Sequence, residues 1–124
     1  MLNSDSGSGA APAPLHAVPQ IETVAFSRRC PSPDLGILTV RGELDISTSG
    51  LLQRELDDLL DTEIPRVEVD LSGVSFMDSS ALGVLLAVHE RAGQRGLHLA
   101  LASPSSACLK VIGITGLDKV FELI

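Results

Sequence analysis

The sequence predicts an α/β fold: a mixed sheet that opens with an N-terminal antiparallel hairpin and continues as alternating βα units. Three observations predict it. Two β-type runs, residues 21–28 and 37–44, flank the turn chemistry of Cys30-Pro31-Ser32-Pro33-Asp34, and a connection that short cannot make a parallel crossover. After residue 44 the hydrophobic period changes to that of helices, and short apolar runs at 67–71, 97–102 and 120–124 separate the helical segments. A hairpin followed by such alternation gives a sheet whose later strands are parallel and covered by helices.

Each element has its own justification. Val24 and Phe26 share one face of the first strand, and each proline in the following turn blocks continuation of strand or helix. Leu52, Leu56, Leu59 and Leu60 stand at i, i+4, i+7 and i+8, an amphipathic stripe that Ser47 or Thr48 can cap and that runs to about Asp61. Pro65 ends that segment before the strand at 67–71. A second helix opens at Asp78 or Ser79, carries Leu82, Leu85, Leu86 and His89 at helical spacing, and stops at Gly93 or Gly96. Ser103-Pro104 reads as a third helix start, with Ser at the cap and Pro at the first helical position. Leu109 and Ile112 are expected to face inward from it, and Gly116 to end it.

A chain of 124 residues suffices for one ordinary domain. Residues 1–20 are rich in Ser, Gly, Ala and Pro and lack apolar periodicity, so they are expected to be a disordered tail ahead of a domain at 21–124. The tail shows neither the basic nor the apolar region of a secretory signal, and no apolar run approaches the roughly twenty residues of a membrane span, so a cytoplasmic location is expected. With no Trp or Tyr, three Phe and a net charge of −7, the chain lacks the stacking platforms and basic grooves of nucleic-acid binders. A basic or neutral protein partner fits that charge better. Cys30 and Cys108 have no metal or redox spacing and are expected to be buried or half-buried thiols.

Ligands and partners of open α/β sheets meet the carboxyl ends of the strands. Two acidic turns are expected there: Gly42-Glu43-Leu44-Asp45 after the second strand, and Val74-Ser75-Phe76-Met77-Asp78-Ser79-Ser80 after the third. If those strands are neighbours, Asp45 and Asp78 lie on one rim. A nucleophile elbow is a poor reading, because Met77-Asp78-Ser79-Ser80-Ala81 lacks both of its glycines. A metal held by Asp45 and Asp78 lacks a third ligand, so neither a metal nor a cofactor is expected. A serine phosphorylated at a helix N-terminus is physically sound, since the first N–H groups and the helix dipole favour an anion. On local physics alone, Asp78-Ser79-Ser80 is better read as a plain helix cap, because Asp and Ser are common caps.

From about Ile21 onward the chain resembles the anti-sigma factor antagonist family, whose STAS domain is shared with the cytoplasmic tails of sulfate transporters. Gly42-Glu43-Leu44-Asp45 is similar to that family's Gly-Glu-[Leu/Ile]-Asp turn. The run Val69-Asp70-Leu71-Ser72-Gly73-Val74-Ser75-Phe76-Met77-Asp78-Ser79-Ser80-Ala81-Leu82-Gly83 is similar to its strand and switch loop, and Ile114-Thr115-Gly116-Leu117 is a weaker likeness. The resemblance implies a non-enzymatic bacterial regulator of transcription in stress response, sporulation or development. It implies that Ser79 is the phosphoacceptor, that an anti-sigma factor serine kinase is the partner, and that a protein serine phosphatase resets the switch. Glu43, Asp45, Asp78, Ser80, Ala81 and Leu82 are then expected at the partner-binding site. Ala81 departs from the family's usual Gly. A STAS subunit or scaffold of a transporter or signalling complex, carrying no phosphate, is the alternative on the same fold.

Overall fold

The computed structural model describes residues 23–124; the expected tail at 1–20 lies outside them. Among the described residues five strands and three α-helices follow in the expected order: β1 (Val24–Ser32), β2 (Leu35–Leu44), α1 (Ser49–Asp61), β3 (Arg66–Met77), α2 (Ser79–Gln94), β4 (His98–Ala102), α3 (Ser106–Thr115) and β5 (Glu122–Leu123). The strands lie side by side in chain order. β1 is antiparallel to β2, and every later pairing is parallel. This is the mixed sheet the sequence predicts.

The stripe on α1 is buried as expected: Leu52, Leu56, Leu59 and Leu60 are all at most 2% exposed. Burial of each contributes roughly 1.5–3 kcal/mol relative to exposure. They meet Leu38 and Val40 of β2, Val67, Val69 and Leu71 of β3, and Leu82, Leu85 and Val88 of α2 in one aliphatic core. Val24 and Phe26 pack against its edge from β1. Exposed ion pairs join the outer elements: Arg28 of β1 reaches Glu55 (2.8 Å) and Asp58 (3.2 Å) of α1, and Arg91 of α2 and Arg95, just past its end, reach Asp57 and Asp61. At such exposure each pair contributes up to about 1 kcal/mol. The leucines hold the helices; the ion pairs only register them.

The structure corrects several local expectations. The hairpin turn is Pro33-Asp34 alone, and β1 runs through Cys30, Pro31 and Ser32. The ladder slips between Arg29 and Ser32, and among the described residues β1 lies at the edge of the sheet, so Pro31 interrupts no central pairing there. Cys30 is consequently exposed, whereas Cys108 is buried. β3 does not stop at residue 71 but continues to Met77, absorbing Ser72-Gly73 with two register shifts against β2. Most of the expected acidic turn after it is therefore strand. The third helix is capped by Ser105, whose hydroxyl accepts from the Cys108 N–H. Ser103 instead takes a positive φ of 48°. With that helix start, Ile112 is buried but Leu109 is 48% exposed. A short 3₁₀ turn, Leu117–Lys119, precedes Phe121, and only Glu122–Leu123 remain as strand.

Candidate functional site

Parallel pairing of β2 with β3 brings the two acidic turns together. Leu44 and Met77 are register partners at the ends of their strands, and the Asp78 N–H donates to the Leu44 carbonyl at 3.1 Å. Asp45 and Asp78 thus follow one another across a single rim, as the motif positions imply.

Gly42 shows why the first turn begins with glycine. Its φ is +101°, and a Cβ there would lie 2.1 Å from the Thr23 carbonyl oxygen. That carbonyl accepts the Glu43 N–H at 2.6 Å, so the chain enters β1 directly against this turn. Glu43 is exposed and Asp45 half-buried. One carboxylate oxygen of Asp45 accepts from the Ser47 N–H (2.9 Å), the Ser47 hydroxyl (2.6 Å) and the Thr48 N–H (3.2 Å). The Asp45 N–H donates in turn to the Thr48 hydroxyl at 2.9 Å, and that hydroxyl lies 2.9 Å from the Glu43 carbonyl. Thr48 is the buried polar residue of the described chain, at 4% exposure. It occupies the N-cap of α1 without a side-chain capping bond, because its oxygen is engaged by the Glu43–Asp45 turn.

Asp78 caps α2. Its Oδ1 accepts from the N–H groups of Ser80 (2.9 Å) and Ala81 (3.4 Å) and from the Ser80 hydroxyl. The Ser80 hydroxyl, followed by the two N–H groups, holds the Asp78 carboxyl below the ordinary carboxylate range, while the Asp45 charge pushes the other way. The Ser47 hydroxyl, with the N–H groups of Ser47 and Thr48, likewise holds Asp45 low. Both are anions at neutral pH.

The adjacent serines are not equivalent. Ser80 is half-buried and bonded to Asp78, whereas Ser79, the first residue of α2, is exposed. Ala81 and Leu82, expected among the partner-facing residues, are 0% and 2% exposed. The helix turns both toward the core, so they anchor its first turn and offer no side-chain surface there. The Ala81 methyl, where the family usually has Gly, is therefore inside and not beside Ser79. Two features of the rim carried no sequence signal. Ile46, between Asp45 and Ser47, is 82% exposed. Lys110 of α3 meets Phe76 and Met77 of β3 around a groove of about 480 Å³.

Comparison with known proteins agrees with this architecture. Residues 30–124 match the model of the STAS domain family. The chain belongs to the anti-sigma factor antagonist (STAS domain) family. It is 30% identical over 91 residues to the anti-sigma F factor antagonist of Paenibacillus polymyxa, covering 71% of this chain and 78% of that protein. Over 84 residues it is 32% identical to the anti-sigma-B factor antagonist of Listeria monocytogenes, covering 68% and 74%. Among solved structures it is similar to an anti-sigma factor antagonist from Mycobacterium paratuberculosis, with a TM-score of 0.73, 27% identity and coverage of 81% and 84%. No helix of the described residues is long and apolar enough to cross a membrane.

Proposed function

We propose that this STAS protein is a cytoplasmic, non-enzymatic partner switch that captures an anti-sigma factor serine kinase when Ser79 is unmodified, freeing a sigma factor. Phosphorylation of Ser79 by that kinase ends the capture, and a protein serine phosphatase restores it. The observation that carries the reading is the division of labour between the two serines: Ser80 is tied to Asp78, and Ser79 stands exposed at the helix start. A phosphate there sits at the positive end of α2, so it does not disrupt its own helix. It adds roughly −1.5 to −2 charge beside Asp78 and across from Asp45. Like charge placed in an interface costs several kcal/mol, against about 5.5 kcal/mol needed to turn a mostly bound population into a mostly free one. Repulsion at the rim supplies much of the switch without refolding the domain.

The test uses the anti-sigma factors of the source organism, each purified and incubated with ATP and the wild-type, Ser79→Ala or Ser79→Asp protein. The expected result is a one-phosphate mass shift in the wild type only, capture by Ser79→Ala, and loss of capture in Ser79→Asp. Phosphate on the Ser79→Ala protein, or equal capture by both variants, would overturn the assignment.

A further inference from the structure

We propose that Ile46, in the turn that Asp45 holds, is the principal apolar contact by which this chain engages the anti-sigma factor. This rests on the partner-switch reading above. The residue chemistry of the turn points to it. Asp45, Ser47 and Thr48 are occupied with one another through carboxylate, hydroxyl and backbone groups. Ile46, in their midst, offers the turn only its carbonyl, which accepts from the Ser49 hydroxyl at 3.4 Å; its side chain takes no part in that network. A β-branched aliphatic residue is a poor choice for a tight turn, where Gly, Asn, Asp, Ser or Pro supplies conformation or hydrogen bonds. Yet 82% of Ile46 faces water.

Among the described residues most other exposed large apolar side chains, including Leu51, Phe76 and Leu109, keep about half their surface covered; only Ile114, at 77%, is comparably bare. Ile114 lies near the C-terminal end of α3, away from the rim. Ile46 is one residue from Asp45, on the rim that carries Ser79. Because the turn is already locked, burying Ile46 in a partner costs little ordering entropy. Glu43, Asp45 and Asp78 give the same rim negative charge, so the occupant is an anti-sigma factor surface that sets an apolar pocket among basic side chains.

Two measurements test this on the full chain. Ile46→Ala and Ile114→Ala proteins are titrated into the anti-sigma factor that the wild type captures. Ile46→Ala is expected to bind about 10-fold or more weakly, and Ile114→Ala as the wild type. Equal affinities for Ile46→Ala and wild type would overturn the inference while leaving the partner switch standing; no capture by the wild type would overturn both. Second, a photo-crosslinking amino acid at position 46 or 114 is activated in cells, and the products are identified by mass spectrometry. Crosslinking of the anti-sigma factor from position 46 alone supports the contact. Crosslinking from both positions or from neither overturns it.

Discussion

The Asp78 N–H donates to the Leu44 carbonyl at 3.1 Å, and through this one bond the turn after β2 and the cap of α2 become a single structure. A change in either turn is transmitted to the other through backbone, without a mobile side chain between them.

Asp78→Ala removes the cap of α2 and is expected to cost about 1 kcal/mol in urea denaturation. The Asp78 carboxyl is held below its ordinary value of 3.8, first by the Ser80 hydroxyl. A depressed carboxyl contributes stability above its unfolded value and loses it as pH falls through the folded one. The gap between wild type and Asp78→Ala should therefore be full at neutral pH and close below pH 3.8. Ser80→Ala should move the Asp78 titration, followed by carboxyl NMR, upward. An unmoved Asp78 titration in Ser80→Ala would contradict the assignment.

Gly42→Ala and Gly73→Ala separate two reasons for a motif glycine. At Gly42 a methyl meets the Thr23 carbonyl oxygen at 2.1 Å on a backbone of positive φ, and neither can yield. A loss of at least about 2 kcal/mol is expected. At Gly73 the nearest atom is Cγ of the Arg41 side chain, at 2.8 Å. An arginine arm can swing aside, so the cost should stay below about 1 kcal/mol. Denaturation midpoints of the two variants in the reverse order would refute this account.

Glu122 joins the last strand to the sheet. Arg66 first, and His98 second, hold its carboxyl down at about 2, from an ordinary 4.5. Its contribution is complete above pH 4.5 and is lost as pH falls toward about 2. Because β5 pairs with β4 only at Glu122 and Leu123, the loss should show first as faster amide exchange in residues 121–124. In Arg66→Gln the Glu122 midpoint should rise toward 4.5. A wild-type midpoint already at the ordinary value would rule the clamp out.

What the sequence made legible was local or periodic. The leucine stripe of α1, the Asp78 cap and the Gly116 stop each announce themselves within a turn or two. Rim sharing by Asp45 and Asp78 followed from β2 and β3 being joined by one helix. The parts that escaped depend on partners far along the chain. Ser72-Gly73 looks like a strand end, but the β2 ladder carries β3 past it. Ala81 and Leu82 sit in a conspicuous motif, and only the helix phase set by the core shows that they turn inward. His89 has helical spacing, but its edge-on contact with the Phe121 ring needs the fold. Ile46 carried no signal at all, since a lone apolar residue in a turn has no period.

The antiparallel start of β1 against Gly42 has a practical bearing on how the protein can be handled. Thr23 sits at the Glu43 end of the sheet, and the Ile124 carbonyl, accepting from the Ser103 N–H, marks the same end of β4. Fluorophores or other bulky groups attached beside Thr23 or Ile124 are thus delivered to the end of the sheet that carries Ser79, where they compete for space with whatever docks there. The Pro33-Asp34 hairpin, at the opposite end of β1 and β2, is the mounting point that leaves that face clear.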